Sequence, residues 1–421
     1  MQSEWRTVKI VDVAAKKRWA LNGGPFGSKL SRKHYSESGV PVIRGTNLSG
    51  ASKFSFDDFV YVSEQKADEL RANNAHPGDL IFTQRGTIGQ VGLIPLDSPF
   101  PRFVISQSQM KLTVDPKQAD ALFLYYIFSA ASTVQEIQNL AFSAGVPHIN
   151  LDILRNFEIL LPQLPVQRQI AGLLSAYDEL IENSQRRINL LEEMSRALYR
   201  EWFVHFRFPG HEKLTRVPSS LGDIPKGWEV NTVAEAFEIT GGGTPSRAEE
   251  AYWQNGAIQW FAPSDLTAAG TMFMDDSPEH ITELGLAKSS TRLFPPYSVM
   301  MTSRATIGAI SINTQEACTN QGFITCVPND RVPLYFLFHW LKENVPTFQR
   351  MASGATFKEI SRGVFKTVGF LQPSEELVRR FESAARPIGM QMLSLQRQIQ
   401  NLRRTRDLLL PRLLSGQLSL S

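Results

Sequence analysis

Pro77-Gly-Asp-Leu-Ile-Phe-Thr-Gln-Arg-Gly-Thr-Ile-Gly89 and Pro296-Tyr-Ser-Val-Met-Met-Thr-Ser-Arg-Ala-Thr-Ile-Gly308 are two versions of one segment. Each sets a Pro-led turn before an apolar run, then an Arg, a small residue and Thr-Ile-Gly; residue 77 becomes 296, a shift of 219. Outward from this pair the correspondence continues. Gly39-Val-Pro-Val-Ile-Arg-Gly-Thr-Asn-Leu-Ser49 aligns with Ala257-Ile-Gln-Trp-Phe-Ala-Pro-Ser-Asp-Leu-Thr267, with 39 becoming 257, a shift of 218. Leu122-Phe-Leu-Tyr-Tyr-Ile-Phe128 aligns with Leu334-Tyr-Phe-Leu-Phe-His-Trp340, with 122 becoming 334, a shift of 212. Trp5 and Trp228 open the two halves. Small drifts in the shift are what loop insertions produce, so the chain reads as a duplication. The boundary falls in the Pro- and Gly-containing stretch 209–222.

Within each half, short β-branched and aromatic runs alternate with Gly, Pro and Asn turns, and one apolar helix interrupts them (121–132 and 334–344). That pattern predicts an α+β domain with a twisted, mostly antiparallel sheet, over 1–164 and again over 223–373. A long helix follows each domain, over 165–208 and 374–416. Tyr177, Ile181, Ser184, Ile188, Leu191, Ser195, Leu198 and Trp202 step by four and three; adding 211 gives Ile388, Met392, Leu395, Ile399, Leu402, Arg406, Leu409 and Leu413. An unbroken heptad register is the spacing of a coiled-coil seam, whereas a helix lying on its own domain tolerates drift toward 3.6. The first helix leaves one domain for the second and the second helix leaves the second domain, so pairing along their length makes them antiparallel. About 34 residues at 1.5 Å rise give a rod of roughly 50 Å. Domains leaning over it would place two readers near one DNA turn apart, ~34 Å.

The composition narrows the class. With 44 Lys and Arg against 41 Asp and Glu the net charge is +3, which permits polyanion binding without demanding it. Two cysteines, Cys318 and Cys326, fit a reducing compartment better than a disulfide framework, and their spacing is a poor zinc pattern, so both are expected on strands. The charged start of the chain is no signal peptide, and the most apolar stretch, 121–131, is far shorter than the ~20 residues of a membrane span. A cytoplasmic protein is expected.

Polar residues with DNA-reading chemistry gather in the turns. The first domain offers Lys29, Arg32, Lys33, Arg44, Asn47, Arg85, Gln107 and Gln109; the second offers Thr244, Ser246, Arg247, Ser264, Arg304, Asn320 and Gln321. Arg and Lys neutralise phosphates or fork onto guanine, and Asn and Gln pair with adenine. An exposed loop residue is more often simply solvated. Arg85 and Arg304 stand apart by falling at matching positions, although a shared structural ion pair explains the match as well.

Catalytic patterns are mostly absent. Phe294-Pro-Pro-Tyr297 imitates the adenine-methylating (Asn/Asp)-Pro-Pro-(Tyr/Phe) site, but a Phe cannot accept a proton from an exocyclic amine, and the duplicate position reads His76-Pro-Gly-Asp79. Gly24-Pro-Phe-Gly-Ser-Lys29 lacks the Gly-Lys step of a phosphate-binding loop, and Gly241-Gly-Gly-Thr has no dinucleotide-binding continuation. Glu64-Gln-Lys66 after Asp57 and Asp58 faintly mimics a nuclease set in a turn-like context.

Taken in order, Gly24-Pro-Phe-Gly-Ser28, Gly39–Leu48, Leu161-Pro-Gln-Leu-Pro-Val-Gln-Arg-Gln-Ile170, Leu198-Tyr-Arg-Glu-Trp-Phe203, Gly242-Gly-Thr-Pro-Ser246, Pro263-Ser-Asp-Leu266, Phe357-Lys-Glu-Ile-Ser361 and Leu410-Pro-Arg-Leu-Leu-Ser-Gly416 resemble the specificity (S) subunits of type I restriction-modification systems. One departure is the second helix start, which reads Pro373-Ser-Glu-Glu-Leu-Val-Arg-Arg380. The resemblance implies two target recognition domains reading the halves of a split DNA site, two spacer helices, two modification (methyltransferase) subunits and an ATP-driven restriction subunit as partners. S-adenosylmethionine, ATP and magnesium would then sit on those partners, and this chain would be non-catalytic. The competing readings are a chain that itself methylates or cuts DNA, a scaffold that only assembles partners, and the specificity subunit of a related type II enzyme.

Overall fold

The computed structural model describes residues 5–48, 52–143, 148–354 and 357–418. The chain divides into two compact units, Met1–Asn183 with Gln398–Ser421, and Ser184–Arg397.

The first unit is built on two sheets. One orders the strands Leu21–Gly23, Gln109–Leu112, Leu80–Thr83 and Val91–Leu93, antiparallel throughout. The other centres on Val40–Ile43, which pairs antiparallel with Val60–Val62 and parallel with Phe103–Ile105. Arg6–Lys9 pairs separately with Glu158–Leu161, tying the start of the domain to the stretch that feeds the long helix. The apolar segment forms two helices, Ala121–Ser129 and Ala131–Ser143, with Asp120 capping the first through the Phe123 amide.

The second unit repeats this plan. Glu238–Gly241, Phe323–Val327, Val299–Thr302 and Ile310–Asn313 stand in the same order as their counterparts, with Phe273–Met274 added parallel at the edge. Ile258–Phe261 pairs antiparallel with Glu279–Ile281 and parallel with Ala317–Thr319, as its counterpart does. Glu229–Thr232 pairs with Gly369–Gln372. Duplication is therefore visible in strand order and in pairing sense. The apolar segment here is one helix, Leu334–Met351, longer than the pattern predicts. Cys318 and Cys326 both lie on strands with no exposure, and burial pushes the Cys318 thiol up to about 12, so neither is a reactive thiolate at neutral pH.

Two long helices, Leu164–Tyr199 and Glu375–Leu414, contribute part of their length to each unit. In the first unit Ile170, Ala171 and Leu174 share a core with Leu413, and Asp178 holds Arg406 at 2.7 Å. In the second, Tyr199 and Trp202 meet Phe381 at ring-centroid distances of 5.7 and 6.0 Å. An early stretch of one helix meets a late stretch of the other in each case, which is antiparallel pairing. Every position of both heptad series is buried or partly buried. Two polar seam positions have side-chain partners: Ser195 Oγ shares a hydrogen bond with His339 Nε2 at 2.6 Å, and Arg406 has Asp178. The central α-helix stops at Tyr199 and passes through a π turn, Arg200–Val204, instead of continuing to 208. Phe203 within that turn and Phe206 just beyond it pack on Trp228, with centroids 6.1 and 5.4 Å away, and this ring cluster outweighs continued α-helix. Among the described residues no helix is long and apolar enough to cross a membrane.

Candidate nucleic-acid interface

In each unit a glycine-rich loop is pressed against the turn that precedes a central strand. A Cβ on Gly24 would fall 2.0 Å from the Ser106 carbonyl oxygen, and one on Gly242 would fall 2.0 Å from that of Thr319. Residue 24 becomes 242 and 106 becomes 319, so this close approach is one device built twice, and only glycine permits it. The arginine loop joins the same rim. Gln84 N–H donates to the Ser108 carbonyl at 2.7 Å, and its counterpart Ser303 N–H donates to that of Gly322 at 2.8 Å. Ile149 N–H reaches Gln84 O at 3.1 Å and Ile360 N–H reaches Ser303 O at 3.0 Å, so a fourth segment closes both rims alike.

On the first rim, Lys29, Arg32, Lys33 and Arg85 are exposed, and none forms an ion pair among the described residues. Gln107 is exposed, yet its amide donates to the carbonyls of Gly27 and Leu30, the latter at 2.8 Å, so it braces the glycine loop. Arg44 is half-buried and donates to the Asp58 carbonyl. Asn47 and Gln109 correct the expectation. Asn47 has no exposure: its Oδ1 accepts the Arg44 amide at 2.8 Å and its Nδ2 donates to the Ser55 and Asp57 carbonyls at 3.2 and 2.8 Å. Gln109 is 1% exposed and accepts from the Ser106 hydroxyl. Both shape loops from inside and present no free edge to a groove.

The second rim is differently charged. Thr244 Oγ1 donates to Gln321 Oε1 at 2.9 Å, placing two candidates side by side. Asn320 Oδ1 accepts the Gly322 amide at 2.8 Å. Ser246 is exposed, its carbonyl accepting the Trp253 indole N–H at 3.0 Å. Ser264 is exposed in the first turn of the helix Pro263–Ala269. Arg247 is committed elsewhere: its guanidinium forks onto Glu279, one contact at 2.8 Å, and lies 3.7 Å over the Trp253 ring. That hydrogen-bonded pairing lowers the Glu279 pKa and raises that of Arg247. Arg304 lies 3.8 Å from Glu359, and their backbones form a bridge, as Arg85 and His148 do in the first unit. Sequence reasoning missed Arg362, whose guanidinium carbon would sit 2.7 Å from a Cβ on Gly241, beside the glycine loop. Nothing in local sequence marks it, because the strand Glu238–Gly241 and the helix Arg362–Lys366 meet only in the fold.

Among the described residues no cluster of three or more His, Cys, Asp or Glu could hold a metal ion. Phe294 is buried at 2%, and its backbone bridges Ala317, which makes the Pro-Pro stretch after it part of a strand approach. The rims therefore offer hydrogen-bond donors, acceptors and cations on rigid turns, the equipment of a binding surface.

A duplicated α+β chain with one loop-built rim per copy, on antiparallel helices, defines a class of paired recognition modules. A family model described as type I restriction modification DNA specificity domain matches residues 2–193 and again 225–376, and the chain belongs to that family. It is 22% identical over 428 residues to the type I restriction enzyme MjaIX specificity subunit of Methanocaldococcus jannaschii, covering 99% of this chain and 94% of that one. It is 21% identical to the HindI specificity subunit of Haemophilus influenzae, covering 81% of this chain and 86% of the relative. The fold resembles a crystal structure of a type I restriction-modification system S subunit from M. genitalium, with TM-score 0.63 and 17% identity, over 100% of this chain and 97% of the other.

Proposed function

We propose that this chain is the DNA-recognition subunit of a type I restriction-modification complex, each unit reading one half of a split site. The observation that carries the reading is the doubled rim, one glycine loop, one turn and one arginine loop interlocked in the same way twice, with different side chains displayed. A reader of one continuous symmetric site would display the same side chains twice. Lys29, Arg32, Lys33 and Arg85 take phosphates or guanine edges in one half; Thr244, Ser246, Ser264, Asn320 and Gln321 supply hydrogen bonds in the other. The paired helices set the unread gap.

Methylation and cleavage belong to partner subunits. Two modification subunits would bring S-adenosylmethionine, and a restriction subunit would bring ATP and magnesium. Relatives named as type I specificity subunits support this assignment over a type II relative. The complex is reconstituted with its modification partner and given a pool of random duplexes. Enrichment of two short motifs at fixed separation is expected. A single continuous motif, or no enrichment, contradicts the proposal. Labelled methyl transfer by the purified chain alone would contradict the non-catalytic role.

A further inference from the structure

The glycine loop of the first unit holds an apolar ring out in water. Phe26 is 83% exposed at the tip of Gly24-Pro-Phe-Gly-Ser28. The loop cannot fold the ring away. Gly24 is wedged against Ser106, Gln107 ties down the Gly27 and Leu30 carbonyls, and the Lys29 amide donates back to the Phe26 carbonyl at 3.3 Å. Gly27 then turns the chain at φ +58°, a conformation that favours glycine. A braced loop that keeps a phenyl ring in solvent forgoes the stabilisation its burial would give. Just after it in the chain come the exposed cations Lys29, Arg32 and Lys33. At the equivalent place in the second unit, 26 becoming 244, stands Thr244, bonded to Gln321.

We propose that Phe26 is an apolar wedge that enters the DNA between two base pairs of the first half-site, while Lys29, Arg32 and Lys33 hold the flanking phosphates. The inference rests on the DNA-reading assignment above and adds a residue and a mode of contact to it. Apolar wedges flanked by cations open base steps at the cost of stacking and gain contact with the bent duplex. A single thymine methyl would cover only a small part of so exposed a ring. The second unit, with a hydroxyl at this place, reads its half without a wedge.

The test uses the complex reconstituted with its modification partner at saturating concentration, on duplexes carrying 2-aminopurine at successive positions of the first half-site. Wild type should show a fluorescence rise at one base step. F26A should lose that rise and bind roughly ten- to hundredfold more weakly, by analogy with the loss of one aromatic–base stack. F26L should keep part of both, T244A should leave the signal in place, and the melting temperature of F26A should equal that of wild type. F26A binding and fluorescing like wild type would overturn the wedge, as would a loss of signal accompanied by a lowered melting temperature. If wild type still selects a split site, such a result sinks only the wedge; if wild type selects none, the DNA-reading assignment itself has failed.

Discussion

Arg85 and Arg304 occupy one position in two copies of one loop, yet their surroundings differ. Arg85 faces water with no ion pair among the described residues, whereas Arg304 lies 3.8 Å from Glu359. The contrast extends along both rims: the first displays Lys29, Arg32 and Lys33 with no ion pair among the described residues, while the second locks Arg247 onto Glu279 and Trp253. Duplication preserved the frame and let the electrostatics diverge. On the proposed reading, the first rim would gain affinity by releasing counterions and the second by hydrogen bonds and shape.

The frame is where the largest effects should appear. Gly24→Ala puts a Cβ against backbone at 2.0 Å, and Gly242→Ala does the same. Each should cost about 2 kcal/mol or more of local stability and abolish selection in its own half-site, as read by motif enrichment. Loss of both halves from either change would break the picture of independent rims. Next come the charges. Replacing Lys29, Arg32, Lys33 and Arg85 together by Ala should lower the slope of log affinity against log salt by roughly 3 to 4. Replacing Arg247 and Arg304 should lower it by less than about 1, with Arg247→Ala reducing the melting temperature because it holds Glu279.

A third effect is a pH dependence in the second unit. Burial pulls the His339 pKa down to about 3, with Lys342 and Arg196 acting in the same direction. The unfolded imidazole takes a proton below its ordinary 6.5 while the folded one does not. Stability supplied by neutral His339 is therefore present above pH 6.5 and falls as the solution becomes more acid. Between pH 6.5 and 5 the second unit should lose about 1.5 kcal/mol, seen as earlier hydrogen exchange in 334–351. His339→Gln should flatten that dependence. The smallest effect is Glu359→Gln, which frees Arg304 from an exposed pair. A two- to fivefold gain in low-salt DNA affinity is expected, as such pairs are worth about 0 to 1 kcal/mol; no gain would assign Arg304 to structure.

The repeat and the seam were legible because both are periodic. A heptad reports which side of a helix is covered, and polar Ser195 and Arg406 could keep seam positions because His339 and Asp178 meet them. Side-chain roles in the loops were less legible. Asn47 has the chemistry of a base reader, but its partners are carbonyls of residues 55 and 57, and only the folded loop shows that all its capacity is spent. Arg247 finds Glu279 32 residues onward through the strand pairing of Ile258–Phe261 with Glu279–Ile281. Phe26 stands in the sequence only as one residue of the Gly24–Ser28 stretch; its exposure follows from contacts 80 residues away. The early end of the central helix was hidden likewise, since Phe206 and Phe208 pack on Trp228, beyond the linker.

The most direct test exchanges residues 1–164 for the corresponding domain of a relative with a different site, then maps methylated adenines in cells carrying the hybrid system. Two rims reading independently predict that one half of the site changes to the relative's motif while the other half and the gap stay as they were. A hybrid that alters both halves together, or neither, would contradict that account.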